Sequence, residues 1–170
     1  MGYIIAMSGT HGTGKSTAAG KEYRDLKINY PEKSVKVITD LENNKYYPIN
    51  KDATPRSQAW LFVNHIRNEL KYISLFDIVV MDRTVVDIIG YTAALGFVDQ
   101  AEGMLSFAAT HMSIYKKIYF RKIIGNPYNH ADGIRETEDR YFRHDVEAAI
   151  DHGYEILKTK DQFPGDLYHV

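Results

Sequence analysis

The chain has 170 residues, 44% hydrophobic and 25% charged, with a formal net charge of −1; this suits one soluble globular domain with a full core and excludes disordered and fibrous classes. It contains no cysteine, so disulfides, thiolate metal sites and cysteine nucleophiles are excluded, and the balanced charge argues against broad attraction to a nucleic-acid backbone while leaving room for a local basic groove. No apolar run approaches a membrane span, and Met1 to Met7 leads directly into a glycine-rich segment with no basic leader, which points to the cytoplasm.

In chain order, Tyr3 to Ser8 is a short apolar run ending at a glycine, as expected of a strand buried on both faces of a parallel sheet. Ser16 to Asn29 is compatible with a helix that stops at Asn29-Tyr30-Pro31. Val35 to Thr39 is β-branched and reads as a second strand ending in Asp40. Leu41 to Ala53 has no clean period and reads as a loop over the site. Thr54-Pro55 has the form of a cap followed by proline at the first helical position, so a long helix follows. Its expected buried stripe is Ala59, Val63, Ile66, Leu70 and Ile73, with Arg56, Trp60, Asn64 and Arg67 along one flank and Phe62 expected to pack beside the stripe.

Phe76 to Asp82 reads as a buried strand ending in a carboxylate, and Val85 to Leu95 and Val98 to Tyr115 as helices separated near Gly96. Lys117 to Phe120 is expected to be a fourth strand, Glu136 to Asp151 a helix, and Tyr154 to Leu157 a final strand. Strands alternating with helices imply a parallel sheet with right-handed crossovers and helices on both faces. Ligands of such sheets sit beyond the carboxyl ends of the strands, where Gly9, Asp40, Asp82 and Arg121-Lys122 would converge on one crevice. No repeat, low-complexity tract or linker divides the chain, so residues 1–170 form a single domain.

The segment Gly9-Thr10-His11-Gly12-Thr13-Gly14-Lys15-Ser16 has the spacing GxxxxGK followed by Ser or Thr, between an expected strand and an expected helix. Glycines let the backbone curl so that its N–H groups face a phosphate, and the helix adds its positive end. Lys15 would reach the outer phosphates of a nucleoside triphosphate and Ser16 would ligate Mg2+, whereas His11 and Thr13 would contribute mainly backbone. Asp82 fits the acidic residue that positions Mg2+ or its water; the alternative is an aspartate capping the next helix. Arg83 beside it favours the first role, since a carboxylate and a guanidinium together can handle metal and phosphate charge. The histidines, among them His11, His65, His111, His130 and His144, show no metal-ligand spacing and are expected mostly on the surface or in packing.

A strand, then Gly9 to Thr17, then Asp82-Arg83-Thr84 after a later strand resembles the P-loop nucleoside and nucleotide kinases. These include thymidylate-kinase-like and deoxynucleoside-kinase-like enzymes, which carry an acidic-Arg-Ser or Asp-Arg motif at this point. The likeness follows the order of elements over the whole length, and its specific part is the first motif. It implies a three-layer α/β fold of the P-loop NTPase type, with a five-stranded parallel sheet between helices, ATP and Mg2+ as donor, and an acceptor under a mobile lid near residues 124–143. Arginines of that lid would neutralise the transferring phosphoryl group, and Arg135, Arg140 and Arg143 lie in the matching region. Alternatively, Glu136 with Arg140 and Arg143 with Glu147 are spaced four apart, as in ordinary surface pairs on a helix.

The same resemblance implies that Asp40 accepts a proton from the acceptor or orients it, with a turn or cap as its alternative. It also places Gln58, Trp60, Phe62, Asn64 and Arg67 on a helix bordering the acceptor, with Trp60 and Arg67 the better candidates for contact. Arg83 and Tyr91 complete the expected acceptor side, Tyr91 facing either the acceptor or the core. The leading expectation is an ATP-dependent phosphotransferase acting on a small molecule such as a nucleoside or nucleoside monophosphate, with a homodimer compatible. The alternatives are a kinase acting on a modified base in DNA, an ATPase or nucleotide-dependent switch driving a partner, and a nucleotide-binding module without turnover. A short chain with a lid that excludes water favours transfer.

Overall fold

The structure is a computed structural model and describes residues 2–39, 47–123, 140–160 and 165–170, with residues 50 and 140 described in their backbone only. Strands β1 (Tyr3–Ser8), β2 (Val35–Ile38), β3 (Ile78–Met81), β4 (Tyr115–Phe120) and β5 (Asp166–His169) form a parallel sheet in the order β2-β3-β1-β4-β5. Helices α1 (Lys15–Asn29), α2 (Pro55–Ile73), α3 (Val85–Ala94), α4 (Val98–His111) and α5 (Arg140–Thr159) connect or flank them.

Strand alternation divides the core into two layers. Ile4 and Ala6 of β1 and Val79 and Met81 of β3 join one cluster with α2, α3, α4 and α5; Ile5, Met7, Ile78 and Val80 join the other with Ala19 and Leu26 of α1. The expected three-layer α/β architecture is therefore present, with α1 on one face and α2 to α5 on the other. No described helix is long and apolar enough to cross a membrane.

Local chemistry sets the helix starts. Thr54 caps α2 by accepting from Ser57 N–H while Ser57 Oγ accepts from Thr54 N–H, and Pro55 occupies the first turn. Thr84 and Asp87 form the same reciprocal box at α3. Helices α3 and α5 approach closely at Gly90, where a Cβ would stand 2.4 Å from Ile150 Cγ1 and 3.0 Å from its backbone nitrogen.

Three expectations are corrected. Tyr154 to Leu157 is not a strand: it continues α5, whose Val146, Ile150, Tyr154 and Leu157 are all fully buried at helical spacing, and the last strand is Asp166–His169. A short apolar run bounded by glycine has the same local pattern in either state. The second correction is at Tyr115, which opens β4 after a 3-10 turn at Met112–Ile114 instead of closing a helix. Third, the buried face of α2 is Gln58, Phe62, His65, Glu69 and Ile73, while Val63 is 61% and Leu70 45% exposed.

That polar face can be buried because it is paired. Glu69 is fully buried, with His65 Nε2 2.9 Å and His111 Nε2 2.6 Å from its oxygens, and Tyr115 donates its hydroxyl to the same carboxylate. Burial alone would push the Glu69 carboxyl up, but the charge of His65 and the hydrogen bond from His111, with smaller contributions from the same two rings, carry it down to about 2 from 4.5.

Two stability measurements follow. A folded-state pKa below the unfolded value stabilises the fold at pH above about 4.5, and this contribution is lost as pH falls toward about 2. Wild-type melting temperature is therefore expected to drop more steeply between pH 5 and 3 than that of Glu69→Gln; parallel slopes would show that Glu69 is not the titrating group. Gly90→Ala should lose about 1–3 kcal/mol in denaturant unfolding through overpacking against Ile150, and an unchanged midpoint would show that α5 yields freely.

Candidate active site

The sheet order places β1 between β3 and β4, so the loop after Ser8 emerges between Asp82 and Arg121. The chain moves to β2 and β3 on one side of β1 and then to β4 on the other, and such a switch point opens a crevice at the strand ends. Backbone continuity holds the flanks: Asp82 N–H donates to the Ile38 carbonyl at 3.0 Å and Arg121 N–H to the Ser8 carbonyl at 2.9 Å.

Gly9, Gly12 and Gly14 of the loop have φ of 134°, 74° and 75°. At Gly9 the approach is also close, since a Cβ would stand 2.4 Å from the Arg121 carbonyl oxygen. Inside the turn, Thr13 Oγ1 and Lys15 Nζ donate to the Thr10 carbonyl at 2.9 and 2.7 Å. Lys15 is buried and lies over the loop it belongs to. Arg121 braces the turn from outside, its Nε donating to the Thr13 carbonyl at 2.8 Å.

Three longer-range contacts fix the loop to the helical layer. Asp87 Oδ1 accepts from Gly9 N–H and Ser8 Oγ, both at 2.7 Å, while Oδ2 accepts from Thr84 N–H at 2.6 Å. Tyr154 donates to Ser8 Oγ and contacts Thr84 Oγ1, each at 2.8 Å. Its burial, and then the Asp87 charge, push the Tyr154 phenol well above its ordinary range, so it stays neutral. Tyr91 receives His11 N–H at 2.9 Å and contacts His11 Nδ1 at 2.8 Å and Thr10 Oγ1 at 3.4 Å.

The two residues expected at the metal are also brought together. Ser16 Oγ donates to Asp82 Oδ2, linking the first turn of α1 to the end of β3. Arg83 places its guanidinium carbon 5.1 Å from the Tyr91 ring centre, and Phe142 of α5 meets the same ring edge-on at 6.1 Å. The expected residues of the loop, Asp82, Arg83 and Tyr91 thus share one location.

Other expected residues are dispersed. Gln58 is 2% exposed and its amide oxygen accepts from Thr92 Oγ1 at 3.1 Å, between α2 and α3. Trp60 is half-buried beside Tyr47, and Arg67 and Thr17 are exposed. Arg143 is buried in α5, and its Nε has no hydrogen-bond partner among the described residues. It makes no pair with Glu147, whose carboxylate accepts from Ile123 N–H at 2.5 Å. The Arg140 side chain, Asp40, Arg135 and residues 124–139 of the expected lid lie outside the described residues, as do Glu136 and His130, while the last residues of the expected lid, 140–143, open α5.

Asp87 and Tyr154 were not among the expected site residues; Arg121 was expected at the crevice, but its bond to the loop was not. Asp87 carried a local signal, the spacing Thr84-x-x-Asp87 of a capping box. Tyr154 acts on Ser8 across 146 residues and left no local signal.

With this geometry in place, the chain can be set beside solved structures. It aligns over 99% of its length with 92% of a thymidylate kinase from Ehrlichia chaffeensis, at a TM-score of 0.65 and 13% identity. A deoxyadenosine kinase from M. mycoides aligns at 0.60 with 16% identity, covering 98% of this chain and 88% of that one. A thymidylate kinase from Candida albicans aligns at 0.59 with 14% identity, covering 99% and 83%. The chain has the fold of the P-loop nucleoside and nucleotide kinases. No family model and no curated protein matches its sequence.

In this kinase fold Asp87 holds the phosphate loop, and replacing it should uncouple loop from helix. Asp87→Asn turns an amide N–H2 toward groups that themselves donate, with an expected cost of about 1–3 kcal/mol in denaturant unfolding. ATP affinity by calorimetry should fall further than in Val35→Ala, which truncates the core at the end of the sheet away from the loop. Equal affinities in the two variants would separate Asp87 from loop geometry.

Proposed function

We propose that the chain is an ATP-dependent phosphotransferase acting on a nucleoside, a nucleoside monophosphate or a related small molecule. The observation that carries the proposal is the Ser16 to Asp82 contact at the mouth of the loop. It brings a hydroxyl and a carboxylate together where the phosphates of a triphosphate would end. Two hard oxygen donors fit Mg2+, which is usually held by one or two protein oxygens, phosphates and water. Among the described residues no group of three His, Asp or Glu forms an all-protein metal cage. Bound there with ATP, Mg2+ would neutralise charge on the outer phosphates.

The remaining work falls to the chain. The curled backbone and the start of α1 would bind phosphate oxygens through N–H groups, and Lys15 would exchange the Thr10 carbonyl for a phosphate oxygen. Asp82 would orient the metal side, and Arg83, stacked on Tyr91, would hold the acceptor or its phosphate from the other side. Arg143 supports a charge-neutralising role, since a buried guanidinium whose Nε has no partner among the described residues suits an anion supplied by ligand. Asp40, Arg135 and Arg140 complete the proposal as orienting base and lid cations, with Trp60, Arg67 and Tyr91 on the acceptor side and Gln58 tying α2 to α3 through Thr92. Fold similarity to thymidylate and deoxyadenosine kinases supports an acceptor of the nucleoside or nucleotide class.

The test is ADP formation across a panel of nucleosides, nucleoside monophosphates and oligonucleotides, with wild type, Lys15→Ala and Asp82→Asn. One nucleoside or nucleotide acceptor should raise ADP formation well above the ATP-only rate, and both variants should lose about 10²-fold or more while melting normally. Excess chelator should abolish the wild-type rate. Folded variants with unchanged rates, or stimulation by no acceptor, would overturn the proposal. Arg143→Ala should lose about 10³-fold if its guanidinium meets the transferring group, and an active variant would assign it to packing.

A further inference from the structure

Behind the Asp82-Arg83 corner lies a buried polar chain that the proposed chemistry does not use. Val85, the first residue of α3 and three beyond Asp82, donates its N–H to Tyr115 Oη at 3.2 Å. Tyr115 in turn donates to Glu69, which is flanked by His65 and His111. The direction of these bonds is fixed by hydrogen inventory. A backbone N–H only donates, so the phenol oxygen accepts from Val85 and its single hydrogen is left for the carboxylate, which only accepts. Burial, then the Glu69 charge, push the Tyr115 phenol well above its ordinary range and keep that hydrogen in place. A negative charge on α2 is thereby linked, through one phenol, to an amide at the positive end of α3.

We propose that Tyr115 is a positioning residue: by passing the charge of Glu69 to the first amide of α3, it fixes the corner that carries Asp82 and Arg83. This rests on the reading of Asp82 as the residue that orients Mg2+ with the nucleotide. The same corner is held from its other side by Tyr154 on Thr84, so two buried tyrosines from β4 and α5 bracket it. Loss of either hydroxyl leaves the packing of its ring but frees one side of the turn. Groups that orient a metal-binding residue typically change metal affinity or activity by about 10- to 100-fold when removed.

The experiment is calorimetric titration of ATP at increasing Mg2+, which reads the corner without any acceptor. Tyr115→Phe keeps the ring, which is 1% exposed and edge-on to His111, and deletes only the bridge. Val85→Pro removes the amide donor together with a fully buried isopropyl group, at a first helical position that suits proline and after a residue, Thr84, already extended at φ −121° and ψ 168°; Val85→Ala, which keeps the amide, should leave the Mg2+ dependence at the wild-type value. Tyr115→Phe and Val85→Pro should each raise the Mg2+ concentration for half-maximal tightening of ATP binding by about 10-fold, while ATP binding in chelator stays at the wild-type value. The double variant should be no worse than either single one, because both remove the same bond. Ile118→Val, a core truncation on the same strand, should leave the Mg2+ dependence unchanged.

Unchanged Mg2+ dependence in folded Tyr115→Phe or Val85→Pro, additive effects in the double variant, or an equal shift in Ile118→Val overturns the positioning role. A wild type whose ATP binding ignores Mg2+ contradicts the reading of Asp82 on which this role rests. A Mg2+-dependent wild type with insensitive variants contradicts the brace alone.

Discussion

One carboxylate holds the phosphate loop to the rest of the molecule. Asp87 accepts from the first amide of the loop and from the last side chain of β1 on one oxygen, and from the cap of α3 on the other. Its burial is complete, so each bond is made where water cannot replace it. A buried charge in such a place is tolerated because several donors surround it, and it becomes costly as soon as one is withdrawn. The loop and the Asp82-Arg83 corner therefore keep a common frame. Displacement of α3 would carry both the loop's anchor and the corner with it.

The turn itself is ordered by bonds made within the chain. Lys15 and Thr13 occupy the Thr10 carbonyl, Arg121 occupies the Thr13 carbonyl, and Tyr91 occupies the His11 amide. The contacts come from α1, β4 and α3, so the loop is held from three directions while its mouth stays next to Ser16 and Asp82. Pre-organisation of this kind reduces what binding must spend on ordering the site. Parallel topology supplies the convergence, since β3 and β4 both flank β1 and end at the same edge.

What could be read directly from the chain was what is encoded locally. The phosphate loop depends on glycine conformation, a strand before it and a helix after it, all within about fifteen residues. The Thr54-Pro55 start was read for the same reason; the Thr84-x-x-Asp87 box is equally local but went unread, with Asp82 offered as the cap in place of Thr84. Errors arose where a partner far along the chain decided the outcome. The apolar face of α2 looked like Val63 and Leu70 until His111 and Tyr115 made it possible to bury His65 and Glu69 instead. Tyr154 to Leu157 looked like a strand because its helical neighbours Val146 and Ile150 lie a turn or two upstream, beyond the short run itself. Tyr154 and Arg121 act on the loop across 146 and 108 residues, a distance over which spacing carries no signal.

The central claim, transfer of a phosphoryl group to a small acceptor, is tested most directly by following the label of ATP labelled at its γ-phosphate. With Mg2+ and a panel of nucleosides and nucleoside monophosphates, the label is expected to leave ATP for one acceptor, appearing as a new phosphoester stable to purification, with little inorganic phosphate. Label recovered only as inorganic phosphate, whatever acceptor is present, would contradict transfer and make the molecule an ATPase.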